Sequence, residues 1–174
     1  MKTGEKILSE KAIPYYEETQ KRNFSQKFRK VKNTVLLLLA YSCPINKWRI
    51  GLHRWRGVKI GKNVYIGMHC HLDNLYPEYI VIDDNASVNS DSMLLTHFNP
   101  MKSFAPIMKA RVAPIHICKG AIIAVRSTIL PGVKVGKNAI VSAGSVVEKN
   151  VPEYTLVRGN PAKIVTEYKI LMEK

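Results

Sequence analysis

Residues 115–147 read IHICKGAIIAVRSTILPGVKVGKNAIVSAGSVV, and every sixth residue from Ile117 onward is a branched aliphatic. These anchor positions are Ile117, Ile123, Ile129, Val135, Val141 and Val147. Because only about a quarter of the chain is Ile, Leu or Val, an unbroken run at this spacing indicates a true repeat.

The same spacing occurs upstream, and it predicts a stacked column. The upstream anchors are Ile60, Ile66, Leu72, Ile82, Val88 and Leu94. A period of six matches neither an α-helix nor simple strand alternation. It fits a three-sided column in which each hexad forms one side, the anchor points inward and small residues occupy the corners. Twelve anchors on three sides predict four coils, each stabilised by its neighbours.

Two insertions interrupt the repeat. A short one separates Leu72 from Ile82, and a long one, at about residues 97–113, separates Leu94 from Ile117. A stacked repeat accommodates insertions as surface loops, and such loops often carry function. The organisation we predict is a basic helical cap at 1–57, the column at 58–151 and a tail closing its far end at 152–174.

The helical cap is predicted from a different periodicity. Phe24, Phe28, Val31 and Val35 recur at helical spacing among basic residues. The formal net charge is +14, and residues 1–62 hold 15 Lys and Arg against 4 Asp and Glu. This excess suits either a solvated helix face or attachment to an anionic membrane. Because it falls on capping helices and not on one surface of interleaved aromatics and cations, no nucleic-acid partner is predicted.

The cysteine pattern and the N-terminus bear on location. Cys43, Cys70 and Cys118 form no CxxC pair, and residues 1–14 contain no apolar signal core. The longest apolar run, residues 35–41, is too short to cross a bilayer. We therefore expect free thiols and a cytoplasmic protein, either free in the cytoplasm or at the inner membrane surface.

Individual hexads resemble those of a known family. Ile60-Gly61-Lys62-Asn63-Val64 and Val135-Gly136-Lys137-Asn138-Ala139 are similar to repeats of the hexapeptide-repeat acyltransferases. The resemblance covers roughly residues 57–165. It implies an all-β fold with a helical cap, in which the column is a left-handed parallel β-helix; the period alone gives no hand. It also implies a homotrimer that transfers an acetyl group from acetyl-CoA to a hydroxyl of a sugar or glycan, as in polysaccharide biosynthesis.

His97 is the predicted general base. It follows Leu94 by three residues, where the long insertion leaves the column, and Leu95-Thr96-His97 is similar to the catalytic element of the family. Histidine suits this role because its pKa lies near the working pH. Asp73 starts the short insertion one coil earlier. It either orients the imidazole, holds a sugar hydroxyl or caps backbone amides.

A second set of residues is predicted to bind coenzyme A. Small side chains such as Ala124 and Ala143 suit a groove for the pantetheine arm, and cations beyond them suit the phosphates. Residues 142–163 are similar to the acetyl-CoA element of the family, which implies that Ala143 contacts the arm and that Lys149 and Lys163 lie near the phosphates. Family members often carry Thr where this chain has Glu148.

Other activities remain open at the level of sequence. The same base and groove would serve N-acetylation of an amino sugar or nucleotide sugar, or a serine O-acetyltransferase-like reaction. A zinc enzyme on the same column would need three convergent ligands. The next histidine after His97 is His116, and the loop between them offers none, so no metal is predicted.

Overall fold

The computed structural model describes residues 8–19 and 23–168, and its first part is helical. The elements before the column are β1 (Lys11–Ala12), α1 (Tyr16–Thr19), α2 (Phe24–Ser42) and α3 (Asn46–Arg56). Asn23 caps α2, since its side-chain oxygen accepts a hydrogen bond from Gln26 N at 3.1 Å. Gly57 ends α3 in the left-handed conformation at φ 110°.

Short strands follow α3, three to a coil. The first coil holds β2 (Lys59–Ile60), β3 (Tyr65–Ile66) and β4 (His71–Leu72), and the second holds β5 (Ile80–Ile82), β6 (Ser87–Val88) and β7 (Met93–Leu94). The long insertion contains β8 (His97–Phe98) and β9 (Arg111–Val112). The later strands are β10 (Ile115–Ile117), β11 (Ile122–Ile123), β12 (Thr128–Ile129), β13 (Lys134–Val135), β14 (Ile140–Val141), β15 (Val146–Val147), β16 (Thr155–Gly159) and β17 (Ala162–Glu167).

The coils stack into three parallel sheets. Sheet 1 contains β2, β5, β10 and β13; sheet 2 contains β3, β6, β11, β14 and β16; sheet 3 contains β4, β7, β12 and β15. The chain thus visits sheets 1, 2 and 3 in turn and then returns to sheet 1 one coil later. The predicted anchors lie in register, because Ile82 pairs with both Ile60 and Ile117.

The anchors form the core of the column. All twelve are buried, the most exposed being Ile60 at 9%, and they belong to one continuous hydrophobic cluster. The predicted small corner residues are also required sterically. A Cβ on Gly67 would lie 2.3 Å from Ser90 N, and one on Gly136 would lie 2.5 Å from Glu153 N, so the next coil leaves no room for a side chain.

Helix α3 covers the open edge of the first coil with polar side chains. Arg49 Nε donates to Ile66 O at 2.8 Å, and Asn46 bonds to both Val64 O and Ile66 N at 3.0 Å. Arg54 donates to the carbonyls of Ile60 and Gly61. Backbone groups that would otherwise present an unpaired strand edge are therefore satisfied.

The far end differs from the predicted boundary at residue 151. Val151 bridges to Val135, and β16 continues sheet 2 by pairing Leu156 and Val157 with β14. Strand β17 then pairs antiparallel with β16 at the edge of the sheet. The parallel stack therefore runs to Gly159, and residues 169–174 of the predicted tail lie outside the described residues.

The long insertion forms a small sheet of its own. Strands β8 and β9 pair antiparallel, and β1 from the N-terminal segment adds to β9. The N-terminal segment is thereby held against the insertion that carries His97.

Candidate active site

Both insertions leave the column at the same corner, between sheets 3 and 1. Asp73 directly follows Leu72 of β4, and His97 lies three residues beyond Leu94 of β7. Leu72 and Leu94 are paired across adjacent coils. The register of the column therefore brings the start of one insertion beside the start of the other.

Asp73 and His97 are in direct contact. His97 Nδ1 lies 2.5 Å from Asp73 Oδ2. The Asp73 side chain is 1% exposed, whereas that of His97 is 23% exposed. The histidine is thus the member of the pair that solvent or a ligand can reach.

Three backbone amides also hold the Asp73 carboxylate. Leu75 N and Tyr76 N donate to Oδ1 at 2.8 and 3.1 Å, and Thr96 N donates to Oδ2 at 2.9 Å. Burial alone would raise the pKa of Asp73. The hydrogen bond from His97, the charge of His97 and the bonds from Tyr76 and Thr96 together outweigh burial and lower the pKa to about 2. Asp73 is therefore ionised near neutral pH and accepts a hydrogen bond from Nδ1–H of His97. This bond favours the tautomer in which Nε2 carries the free lone pair.

The strand that carries His97 is fixed by its neighbours. His97 pairs with Val112 of β9, and Thr96 O accepts a hydrogen bond from Ala113 N at 2.8 Å. The Tyr76 ring meets the His97 ring edge-on, with centroids 5.6 Å apart. The imidazole is consequently positioned by backbone pairing as well as by Asp73.

Arg56 and His53 stabilise the backbone that carries Asp73, a role that the sequence did not predict. Arg56 Nη2 donates to the carbonyls of Leu72 and Asp73 at 2.7 and 2.6 Å, and Nη1 lies 3.0 Å from His53 Nδ1. Burial and the positive charge of Arg56 lower the pKa of His53 to about 3. His53 is therefore neutral, and its Nδ1 accepts a hydrogen bond from Arg56. Nothing in the sequence distinguishes these residues from the other basic residues of α3.

A cavity of about 340 Å³ adjoins His97. Helix α2 contributes Lys27 and Lys30, and the insertion contributes Asn99. The remaining lining residues are Tyr16, Thr19 and Leu75. The predicted cap therefore forms one wall of the site that contains His97, which the sequence analysis did not anticipate.

Of the two histidines on either side of Cys70, only His71 lies near this pair, since the charges of Asp73 and His97 both act on its ring. Burial lowers the pKa of His71, partly offset by Asp73, and keeps its ring neutral at neutral pH. His69 pairs with Asp91 at 3.4 Å at the corner between sheets 2 and 3. His69 therefore lies at a different corner from the His97 of its own chain.

The predicted coenzyme A residues fall at two corners. Ala124 and Ala143 lie in stacked turns between sheets 2 and 3, where Gly144 N donates to Val125 O at 3.0 Å. Lys163 lies in β17, paired with Arg158 of sheet 2. Lys149 follows β15 at the corner of Asp73 and His97. Within one column, most of the predicted coenzyme A groove therefore lies on the opposite side of sheet 3 from His97.

A separate cluster of metal-ligand types lies on sheet 1. Potential ligand atoms of Asp83, His116 and Cys118 all lie within 4.8 Å of one another. His116 Nε2 and Asp83 Oδ2 are already hydrogen-bonded at 2.8 Å. Burial raises the pKa of the Cys118 thiol, although the charge of nearby Lys134 opposes this. A protonated thiol beside an ammonium group disfavours a dication there.

Comparison with known proteins identifies acetyltransferase relatives. No family model matches the chain. YvoF of Bacillus subtilis (strain 168), a proposed acetyltransferase, is 30% identical over 149 residues, which cover 83% of this chain and 81% of YvoF. SAV2555 of Staphylococcus aureus (strain Mu50), also a proposed acetyltransferase, is 33% identical over 109 residues, which cover 62% of this chain and 54% of SAV2555. The chain therefore spans about half the length of that relative.

Solved structures show the same fold. The hexapeptide-repeat acetyltransferase VCA0836 of Vibrio cholerae superposes with a TM-score of 0.71 at 22% identity, covering 84% of this chain and 94% of its own. A maltose O-acetyltransferase of Clostridium difficile 630 superposes with a TM-score of 0.69 at 19% identity, covering 91% of this chain and 94% of its own. A galactoside acetyltransferase in complex with coenzyme A superposes with a TM-score of 0.64 at 16% identity, covering 92% of this chain and 94% of its own.

Proposed function

Because this chain belongs to the hexapeptide-repeat acetyltransferases, we propose that it transfers an acetyl group from acetyl-CoA to a hydroxyl of a sugar or glycan. In this proposal His97 is the general base. The observation that carries it is the contact of His97 with the buried carboxylate of Asp73 beside an open cavity. The sugar class is supported by the likeness to the maltose and galactoside enzymes.

The proposed reaction is direct transfer. The acceptor oxygen attacks the thioester carbonyl carbon while its proton passes to Nε2 of His97. The carbon–sulfur bond then breaks, and the coenzyme A thiolate takes that proton from the imidazolium. Asp73 stabilises the imidazolium formed between these steps and keeps Nδ1 protonated throughout.

Asn99 provides a contact suited to a sugar. Its side-chain oxygen is buried and has no hydrogen-bond partner among the described residues, although the residue lines the His97 cavity. A buried acceptor without a donor is destabilising. A hydroxyl of a bound sugar would satisfy it and would help to fix the acceptor in front of His97.

The proposed assembly is a trimer of left-handed columns. Ala124, Ala143 and Lys163 lie on the far side of sheet 3 from His97, so one chain alone does not form a complete cleft. Two columns packed side by side would bring the coenzyme A groove of one to the His97 of the other. Mixing a His97→Ala variant with an Ala143→Trp variant tests this, because mixed trimers would regain part of the activity that both parents lack.

We also propose that α2 and α3 attach the enzyme to an anionic membrane surface, where lipid-linked glycans are assembled. Within the described ranges no helix is long and apolar enough to span a bilayer. Phe24, Trp48 and Trp55 are nevertheless 84%, 63% and 69% exposed, and Lys47 lies in the same apolar groove as the two tryptophans. Exposed aromatics beside cations are typical of interfacial helices.

Vesicle sedimentation tests the membrane proposal. Wild-type protein should sediment with vesicles containing phosphatidylglycerol and not with phosphatidylcholine vesicles. The Trp48→Ala, Trp55→Ala double variant should stay in the supernatant, whereas Tyr65→Ala, which removes an exposed aromatic from the column, should behave as wild type. Equal binding by all three proteins would contradict the proposal.

The catalytic proposal is tested by release of free coenzyme A from acetyl-CoA. The acceptor panel contains sugars, amino sugars, nucleotide sugars and serine, and product analysis distinguishes an ester from an amide. Ester formation on a sugar supports the proposal. Amide formation on an amino sugar would show N-acetylation instead of the proposed O-acetylation. Preferred turnover of serine would show that the acceptor is an amino acid and not a sugar.

A further inference from the structure

We propose that the acceptor carries a phosphate group beside the sugar that is acetylated, and that Lys27 and Lys30 bind this phosphate. The inference rests on the proposed function, since it concerns the acceptor of the same site. It adds a charge requirement that neither the fold nor the relatives assign. The observations that carry it are the position of the two lysines, their lack of carboxylate partners and the charge of the adjoining cavity.

The two lysines share a face of α2 and a cavity with His97. Residues three apart in an α-helix lie on the same side, so Lys27 and Lys30 are neighbours on the helix surface. Both line the cavity of about 340 Å³ that His97 adjoins. An acceptor held by these ammonium groups would therefore occupy the same space as the general base.

Neither lysine is neutralised within the described part of the chain. The nearby acidic residues are already engaged: Glu78 pairs with Arg29 at 3.2 Å, and Glu18 pairs with Lys102 at 3.5 Å. Asp73 is buried and bound by His97. No carboxylate is among the residues that line the cavity. Two uncompensated positive charges in a concave site attract an anion.

The positive charge extends into a second cavity. This cavity of about 300 Å³ shares Thr19, Lys30 and Leu75 with the first. It adds Lys11 and Arg29, with Glu18 as its single carboxylate. Space for an anion larger than one phosphate, such as a diphosphate, is therefore available next to the base.

A phosphate ester fits these groups better than a neutral sugar does. A neutral sugar hydroxyl gains little from two ammonium groups, whereas a phosphate offers several charged oxygens to both. The side-chain oxygen of Asn99 would then accept a hydrogen bond from a hydroxyl of the sugar. The phosphate could belong to a soluble sugar phosphate or nucleotide sugar, or to a lipid-linked glycan, and the chemistry at the lysines is the same for each.

Matched acceptors test the inference. Glucose, galactose and N-acetylglucosamine are each compared with their 1-phosphates in the coenzyme A release assay and, without acetyl-CoA, by calorimetric titration. Wild-type enzyme should prefer at least one 1-phosphate over its parent sugar by about tenfold or more in kcat/KM and in affinity. A nucleotide sugar and a polyprenyl-diphosphate-linked sugar of the same hexose then distinguish the soluble source from the lipid source.

Lysine variants assign the preference to this site. The Lys27→Gln, Lys30→Gln double variant should lose the preference for the 1-phosphate through a higher acceptor KM, with the KM for acetyl-CoA unchanged. Lys32→Gln, on the same helix but outside the cavity lining, should keep it. Circular dichroism checks that the variants fold as wild type does.

The outcomes separate the two proposals. If wild-type protein binds no 1-phosphate more tightly than its parent sugar, or if the double variant keeps the preference, the phosphate inference is overturned while acetyl transfer to neutral sugars can still stand. If no acceptor of any class releases coenzyme A, the proposed function fails. The calorimetric titration still decides the lysine assignment in that case, since it needs no turnover.

Discussion

Asp73 and His97 are 24 residues apart in the chain, yet their side chains meet at 2.5 Å because the residues before them lie in register on adjacent coils. The pairing of Leu72 with Leu94 fixes where both insertions begin. A change in the number of residues per coil would separate the carboxylate from the imidazole. The geometry of the proposed catalytic pair thus depends directly on the stacking of the repeat.

Replacement of the buried carboxylate tests its effect on the base. In Asp73→Asn, the ionised acceptor for the Nδ1 proton is lost, so His97 can adopt the other tautomer and its imidazolium is less stabilised. We expect kcat to fall by about 10² or more, with the KM for acetyl-CoA little changed. Asp83→Asn, which alters the Asp–His pair with His116 on sheet 1, should retain wild-type kcat. Equal kcat values for both variants would remove Asp73 from the mechanism.

The low pKa of Asp73 predicts a pH-dependent contribution to stability. The pKa is lowered from 3.8 to about 2 in the folded protein, so the ionised carboxylate stabilises the fold above pH 4. This stabilisation should be lost as the pH falls through about 2. By linkage it amounts to about 2 kcal/mol. Urea unfolding of wild type and Asp73→Asn at several pH values measures it: the difference in unfolding free energy should be largest above pH 4 and shrink toward pH 2, and a constant difference would argue against the ionised state.

Removal of Arg56 should destabilise the corner that carries Asp73. Its guanidinium is buried and satisfies the carbonyls of Leu72 and Asp73, which Arg56→Met would leave unpaired. We expect a loss of about 2–4 kcal/mol of unfolding free energy. Arg29→Gln, which breaks only the exposed pair with Glu78, should cost less than about 1 kcal/mol. A loss in Arg56→Met no larger than in Arg29→Gln would contradict the capping role.

Two adjacent isoleucines test the period of six. Ile123 is an anchor at 0% exposure, and its neighbour Ile122 faces outward at 39%. Ile123→Ala should lower the free energy of unfolding by about 2–5 kcal/mol because it leaves a cavity in the column. Ile122→Ala should lower it by less than about 1 kcal/mol in a single chain. The contrast is read from denaturant unfolding, and similar losses at both sites would refute the inward assignment.

The repeat and the Asp73–His97 contact could be predicted because both follow from sequence spacing. The anchors recur at a fixed period, and the two insertions begin at equivalent positions of adjacent coils. The cavity wall could not be predicted in the same way. Lys27, Lys30 and Asn99 approach His97 through the packing of α2 and the insertion, for which no local pattern exists. The pairing of β1 with β9 could not be predicted either, because a strand of two residues shows no periodicity.

The edge-capping arginines show why composition alone was ambiguous. The basic excess of residues 1–62 suggested either a solvated face or a membrane surface. Arg49, Arg54 and Arg56 instead bond to backbone carbonyls of the first coil and its corner. A count of charges does not reveal which of them satisfy the backbone, so these residues were indistinguishable from the surface lysines until the fold was known.

The most direct test of His97 as the base is the rate of coenzyme A release by His97→Ala with saturating acetyl-CoA and the acceptor that the wild type turns over. We expect kcat to fall by about 10² to 10⁴ while the affinity for coenzyme A and the unfolding free energy stay near wild type. His116→Ala, which removes a histidine from sheet 1, should keep wild-type kcat. Near-normal turnover by His97→Ala would rule out His97 as the general base.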